Sequence, residues 1–406
     1  MPPASRPFSY SPFGYDEAAT HIRVIRIKPG CGEEIRCVMK RMRRTADRFV
    51  PIYSCLSYTW QPENPRRNIY IEKKRGKERV KSIGKNLGDF LSAARDANIT
   101  DWLWIDALCI NQADPIEKGQ QVRRMGQTYK HARKVFVWLG LIPKPTVHAL
   151  ENLMRVNLEA TKAANQASLG GLISIIPKEA WLGPLTDICS APYWTRLWIA
   201  QEFLLANEPI LFFQNFQIDA ITLARQLNRF LYLVPKGERL DFMALTGWTY
   251  LHWRWVCYEF PSNNKWMPSE RRPMDKPVSL ASLIPKFAKS GCHDKKDRVY
   301  ALLSLADDGD PGMVYYEISE DEVFRNTMGV MKRHKNKRPI DEHLLIGEAL
   351  IEALELWPAT SPSSSTLEIN FDGPEDITLP IWGRAALEIK AEAGTGWETI
   401  EATCIF

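Results

Sequence analysis

The sequence predicts an α/β fold, a mainly parallel sheet flanked by helices. Three observations lead there. Asp101-Trp-Leu-Trp-Ile-Asp106 and Val135-Phe-Val-Trp-Leu139 are apolar at successive positions, as central strands covered on both faces must be. Between them lies a segment whose apolar residues recur at helical spacing. From Tyr53 to Phe213 strand patterns alternate with helical ones, the order that builds a parallel sheet with crossover helices.

The first twenty residues, rich in Pro, Ser and Gly, are expected to be a mobile arm. His21-Ile-Arg-Val-Ile-Arg-Ile27 alternates basic and apolar residues. It can pair with Ile35-Arg-Cys-Val-Met39 across Pro29-Gly-Cys-Gly32, which gives an N-terminal β-hairpin. Tyr53 to Tyr58 is the next strand, ended at Gln61-Pro62. Asn68-Ile-Tyr-Ile71 and Arg79-Val-Lys-Ser-Ile83 flank a charged turn and form a second hairpin. Leu87, Phe90, Leu91 and Ala94 then mark a helix.

Asp114-Pro-Ile-Glu117 is a helix start, with a capping Asp, Pro at the first helical position and Glu three residues after the cap. Val122, Met125, Tyr129 and Ala132 are its expected buried stripe. His131, Arg133 and Lys134 favour the negative end of its dipole. Gly140 stops the following strand. Residues from about 141 to 190 read as an insertion, helical from His148 to Ala164 and Gly-rich around Gly170-Gly171. A helix carrying Trp194 follows, then the strand Pro209-Ile-Leu-Phe-Phe213, and beyond residue 215 the pattern is mostly helical. Pro358 to Ser365 is a low-complexity linker, and the remainder to Phe406 has little character.

Composition excludes several classes. The net charge of +5 over 406 residues is small, and the basic clusters at Lys40–Arg44, Lys73–Lys77 and Lys332–Arg338 read as solvated loops and turns, so nucleic acid is not the expected partner. The eight cysteines make no Cys-x-x-Cys pair and the histidines no ligand spacing, so no metal site is expected. No signal-peptide core and no run of about 18 apolar residues occur, which leaves a reduced cytoplasmic protein as the expectation. Cys109 with His131 lacks a third group to orient a thiol catalyst, and no phosphate-cradling Gly-rich motif is present.

Three segments fit together: Tyr53-Ser-Cys-Leu-Ser-Tyr-Thr-Trp60, Leu103-Trp-Ile-Asp-Ala-Leu-Cys-Ile-Asn-Gln112 and Trp194-Thr-Arg-Leu-Trp-Ile-Ala-Gln-Glu202. Together they closely resemble the signature of the fungal heterokaryon-incompatibility (HET) domain, with looser similarity from about Ile22 to Lys335. Asp294-Lys-Lys-Asp-Arg-Val-Tyr-Ala-Leu-Leu-Ser304 is similar to an element found downstream in HET proteins, with Ser304 in place of Gly. Gln61 also departs from the Gly common after Trp60. A more distant resemblance is to TIR domains: Cys55-Leu-Ser-Tyr58 is similar to their first strand, Ile105-Asp106 to the acidic end of their second. Trp198-Ile-Ala-Gln-Glu202 is similar to the Trp-x-x-x-Glu helix of the enzymatic ones. In those, the glutamate supports cleavage of the nicotinamide–ribose bond of NAD. The insertion before Trp194 departs from the TIR pattern.

The resemblance therefore implies Glu202 and Asp106 as catalytic residues, with Ser57, Tyr58, Trp60, Asn111, Gln112 and Trp198 as substrate contacts. Elementary chemistry adds a separate reason to watch Glu202. From Tyr193 to Ala206 it is the only carboxylate and Arg196 the only strong cation. They are six apart, whereas a helical ion pair needs three or four. A carboxylate on so apolar a helix is costly unless it meets a partner, solvent or a ligand. An oxocarbenium-like state on ribose is one such ligand; a salt bridge to the core is the plainer alternative. Asp106, at the carboxyl end of a central strand, can bond a ribose hydroxyl or cap a turn. Asn111 and Gln112 can bind a base edge or satisfy the backbone of their own loop. Trp60 and Trp138 offer faces for stacking, although Trp138 inside a buried strand reads first as core.

The expected organisation is an arm at 1–20, a HET (TIR-like) domain at 21–215, a helical HET-associated region at 216–335 and a divergent tail at 336–406. The implied function is a cell-death effector of fungal non-self recognition that cleaves NAD or a related nucleotide as its substrate, with no cofactor. The alternative is a non-catalytic signalling module acting by self-association or through a recognition partner.

Overall fold

Ser54-Cys-Leu-Ser-Tyr58 is buried at every position and occupies the middle of the main sheet. The computed structural model describes residues 6–44, 53–60, 65–72, 77–142, 146–148, 150–152, 181–214, 216–231, 236–259, 279–333, 347 and 349–356, with strands at 367–371, 378–379, 386–391 and 398–405. Two units are present, residues 1–355 and 356–406.

In the first unit the strands are β1 (His21–Ile27), β2 (Ile35–Arg43), β3 (Ser54–Tyr58), β4 (Arg66–Glu72), β5 (Glu78–Gly84), β6 (Leu103–Trp104), β7 (Val135–Trp138), β8 (Pro209–Phe213) and β9 (Phe216–Asp219). They form one sheet in the order β5-β4-β2-β1-β6-β3-β7-β8-β9. The expected α/β class and both expected hairpins are present. The sheet is mixed, however, and not mainly parallel: β6-β3-β7-β8 run parallel, as do β2 and β4, while the other four pairings are antiparallel. Strands joined by short turns can only pair antiparallel; the long connections around β3 permit the parallel core. Within that core, chain order reads 2-1-3-4, so the sheet reverses its direction of growth between β3 and β7. Open α/β sheets place ligands beside such a switch, at the carboxyl ends of the strands.

Residues 6–20, expected as a mobile arm, lie against this sheet. The Tyr10 hydroxyl donates to the Leu108 carbonyl at 3.0 Å and Phe8 N–H to the Val80 carbonyl at 2.7 Å, ahead of the short helix α1 (Tyr15–Thr20). Beneath them Arg23 makes a buried ion pair with Glu117, Nη2 to Oε2 at 2.9 Å, and its guanidinium sits 4.0 Å from the Phe13 ring centroid.

Helix α2 (Lys85–Asp96) covers one face, its Phe90 packing edge-on against Trp138 and Phe212. Then come α3 (Asp106–Cys109), α4 (Pro115–Arg123) and α5 (Met125–His131). The helix start at Asp114 is as expected, its side chain accepting from Glu117 N–H at 3.0 Å. The single expected helix is broken at Arg124, so Met125, Tyr129 and Ala132 are buried while Val122 is only half-buried; Glu117 and Gln121 are buried in its stead.

Helix α6 (Leu182–Cys189) and a 3₁₀ turn, Pro192–Thr195, lead to α7 (Ile199–Leu204). Helices α8 (Ala220–Leu231), α9 (Lys236–Met243), α10 (Thr246–Glu259), α11 (Leu280–Phe287), α12 (Asp297–Tyr300) and α13 (Glu320–Arg333) complete the unit, in line with the helical pattern expected beyond residue 215. Gln61, most of the 141–190 insertion and the 358–365 linker lie outside the described residues.

The second unit corrects the reading of the last segment as characterless. Strands β10 (Leu367–Phe371), β11 (Thr378–Leu379), β12 (Ala386–Ala391) and β13 (Glu398–Ile405) make an antiparallel sheet in the order β10-β13-β12-β11. Leu-Glu-Ile-Asn-Phe and Ala-Leu-Glu-Ile-Lys-Ala carry the period-two alternation that announces such strands.

Candidate functional site

Alternation along β3 sends Ser57 to the face covered by α7 and the next residue, Tyr58, to the opposite one. Ser57 Oγ donates to Glu202 Oε2 and lies 2.7 Å from the Tyr193 hydroxyl, linking Tyr193, Ser57 and Glu202 in one buried chain. Glu202 is 1% exposed.

Arg196 closes the group. The chain there is not helical: Arg196 is extended, with φ −81° and ψ 138°, between the 3₁₀ turn and α7. A spacing of six residues is thus no obstacle, and Arg196 Nη1 stands 3.9 Å from Glu202 Oε2 while it donates to the Tyr58 carbonyl at the end of β3. The expectation that these two do not pair rested on a continuous helix that is absent. Leu197-Trp-Ile-Ala-Gln201 contains no Pro or Gly that would signal the break.

Asp106 joins from the neighbouring strand end. It begins α3 directly after β6, and its Oδ1 accepts from Ala107 N–H at 2.7 Å, satisfying a turn as the plainer reading expected. Its Oδ2 accepts from Trp60 Nε1 at 3.0 Å, so the 47% exposed Trp60 marks the solvent edge of the cluster. Glu202 therefore pairs with Arg196 at the carboxyl end of β3, and Asp106, at the end of β6, acts on both through its charge.

Burial governs their protonation. It pushes the Glu202 carboxyl up to about 7; Arg196 opposes this, the like charge of Asp106 adds to it, and the Ser57 hydrogen bond opposes it. Burial likewise raises Asp106 to about 6, against Arg196, Ala107 N–H and Trp60. For Arg196 burial disfavours the charge, yet Glu202 and Asp106 outweigh it and its pKa is raised. The phenols of Tyr58, Tyr129, Tyr193 and Tyr250 and the Cys55 thiol, all pushed up by burial, complete the titratable groups that feel Glu202.

Other expected contacts fall elsewhere. Trp198 stands one turn before Glu202 at the start of α7, and its indole N–H donates to Asp297 Oδ2 at 3.0 Å. Asn111 gives its backbone N–H to Glu117 Oε1 at 2.6 Å, and Gln112 Nε2 donates to the Asp106 carbonyl at 3.3 Å, so both serve their own loop in this form. Trp138 is core, its Nε1 bonded to Asn86 Oδ1 at 2.8 Å. Burial pushes the Cys109 thiol up to about 12 and His131 is exposed, which removes the thiol pair. Among the described residues no group of three His, Cys, Asp or Glu side chains could hold a metal ion. None of their helices is long and apolar enough to cross a membrane.

Residues 53–202, from the residue before β3 to Glu202 itself, match the family described as heterokaryon incompatibility protein (HET). The chain carries a HET domain. Among curated proteins, heterokaryon incompatibility protein 6, OR allele, of Neurospora crassa (strain ATCC 24698 / 74-OR23-1A) is 24% identical over 342 residues, covering 75% of this chain and 50% of the relative. The chain thus spans about half the length of that relative. No solved structure matches it. The HET match takes in Ser57, Asp106, Arg196 and Glu202, and leaves out β1, β2 and everything after α7's fourth residue.

Proposed function

We propose that this HET-domain protein is a cytoplasmic cell-death effector in heterokaryon incompatibility, and that the Glu202–Arg196–Asp106 cluster is where it cleaves NAD or a related nucleotide. The observation that carries the site assignment is the buried Glu202–Arg196 pair at the carboxyl end of β3, with Asp106 at the neighbouring strand end. In the proposed reaction the ribose–nicotinamide C–N bond breaks and nicotinamide leaves with the electron pair as a neutral molecule. Water adds to the ribose carbon and releases one proton. Ionised Glu202 stabilises the positive charge that builds on ribose. Asp106 receives the ribose or holds the loop beside it, and Trp60 offers an exposed ring for stacking at the rim. Ser57 and the Tyr58 carbonyl hold Glu202 and Arg196 in the cluster, and Gln112 is bonded to the Asp106 carbonyl beside it.

A second reading has its own observation. Glu202 is 1% exposed and hydrogen-bonded to Ser57, so a substrate reaches it only if that bond is exchanged. A closed cluster of this kind suits a non-catalytic module that works by self-association or by binding a recognition partner.

The deciding experiment incubates concentrated purified protein with NAD and follows nicotinamide release. The catalytic reading expects release that rises with pH through about 7, as Glu202 ionises. It also expects a loss of about a hundred- to thousandfold in Glu202→Gln, the scale for removing one stabilising group. Fungal cells killed by the wild type with no nucleotide consumed would refute catalysis and favour the module.

A further inference from the structure

Both members of the Arg196–Glu202 pair are held in place by a segment nearly a hundred residues downstream, outside the HET match. Arg196 is flanked by two backbone bonds to Gly291: Gly291 N–H donates to the Thr195 carbonyl at 2.6 Å, and Leu197 N–H donates to the Gly291 carbonyl at 2.9 Å. Glu202 is reached through Trp198, whose carbonyl accepts the Glu202 N–H at 3.2 Å and the Gln201 N–H at 3.1 Å. The Trp198 indole is in turn bonded to Asp297, and Gln201 Nε2 donates to the Tyr300 carbonyl at 3.2 Å.

Asp297 is an expensive choice for a packing residue. It is 6% exposed, and its other oxygen accepts from the Tyr316 hydroxyl at 2.7 Å, so its bonds go to two neutral donors. Burial raises its pKa. A buried carboxyl without a direct cation costs several kcal/mol relative to an apolar side chain. Geometric control over Trp198 gives such a residue a purpose that simple filling does not.

We infer that Asp297 is a positioning residue: by fixing the Trp198 indole it sets the first turn of α7 and so the placement of Glu202 against Arg196. The inference rests on the site proposed above and is tested by a readout independent of NAD. In the full-length protein with carbon-13 in its glutamate carboxyls, the Glu202 titration is the one that disappears in Glu202→Gln. Trp198→Phe and Asp297→Leu both break the indole bond. Each should move the Glu202 titration upward by about 1 unit, because a cation within roughly 4–6 Å lowers a carboxyl by at least that much and the pair loosens. Asp297→Asn, which keeps an acceptor oxygen for the indole, should leave it in place. Trp198→Phe keeps the ring and guards against Asp297→Leu failing to fold. A Glu202 titration unchanged in folded Trp198→Phe overturns the inference, as does one shifted equally by Asp297→Asn. In the same proteins NAD cleavage should fall through kcat and not KM. Absence of cleavage in every form, with the titration shifts as stated, refutes the NAD reading and leaves the positioning role standing.

Discussion

Replacing Glu202 with Gln should make the protein more stable at alkaline pH than the wild type, while leaving the two nearly equal in acid. The carboxyl, ordinarily near 4.5, is raised to about 7 by burial. The folded state therefore binds more protons than the unfolded one between those values, and native stability declines as pH rises across that window. Each unit is worth 1.36 kcal/mol, so the gap amounts to about 3 kcal/mol, complete above pH 7 and absent below pH 4.5. At pH 5 the protonated acid and the amide are nearly isosteric, each able to take the Ser57 hydroxyl, and should differ by less than about 1 kcal/mol. At pH 8 the amide carries no charge to desolvate, and Arg196 retains the Tyr58 carbonyl and Asp106. Urea unfolding at pH 5, 6, 7 and 8, followed by tryptophan fluorescence, measures the difference directly. Asp106, raised from 3.8 to about 6, adds a decline of the same sign in both proteins, and because its charge is coupled to that of Glu202, losing Glu202 flattens the mutant's decline in the same direction. A mutant-to-wild-type difference that stays flat with pH would refute the reasoning. One that turns against the mutant at pH 8 would show that the Arg196 attraction outweighs burial.

Three further outcomes are expected. A Cβ on Gly126 would lie 2.3 Å from Ser304 Cβ and 2.9 Å from Gln201 Oε1, so Gly126→Ala should cost about 1–3 kcal/mol, with Ser304→Gly restoring much of it in a double-mutant unfolding series. Arg23→Met leaves Glu117 buried without its cation and should cost about 3–5 kcal/mol, while Arg23→Met with Glu117→Leu should recover most of it, again by urea midpoint. Removing residues 356–406 should leave the melting temperature of the first unit and its toxicity in a fungal cell largely unchanged; a folded, abundant and harmless truncation would give the second unit a role in killing.

The parallel core was legible because β7 and β8 are apolar at every position and strand patterns alternate with helical ones from β3 onward, and both hairpins because their strands alternate around short polar turns. What escaped was non-local. Nothing in the spacing of β1 and β2 says that they pair between β4 and β6, since register against a distant strand is settled by which faces the helices cover. At the site, Glu202 stood out as the lone carboxylate of an apolar segment and Asp106 by its place at the carboxyl end of a central strand. Arg196 was discounted by helical periodicity, which does not hold from the extended Arg196 between the 3₁₀ turn and α7. Tyr193 gave no local signal, and the 294–304 element that holds Asp297 gave none for its partner: one acts through a hydroxyl contact across 136 residues, the other through an indole across 99.

The insertion of β1 and β2 between β4 and β6 bears on what can be cut from this chain and carried elsewhere. The segment that defines the family begins just ahead of β3, yet two strands that precede it complete the hydrogen-bonded rows on either side. Excised alone, residues 53–202 would leave β6 with an open edge and the β4–β5 hairpin without the strand it is stitched to. Exposed strand edges recruit other chains. A gene fusion or a deletion that respects the family boundary would therefore produce a sticky fragment, and one that starts ahead of His21 and runs past β9 at Asp219 would keep the sheet whole. The unit that evolution recognises by sequence is smaller than the unit that physics can fold.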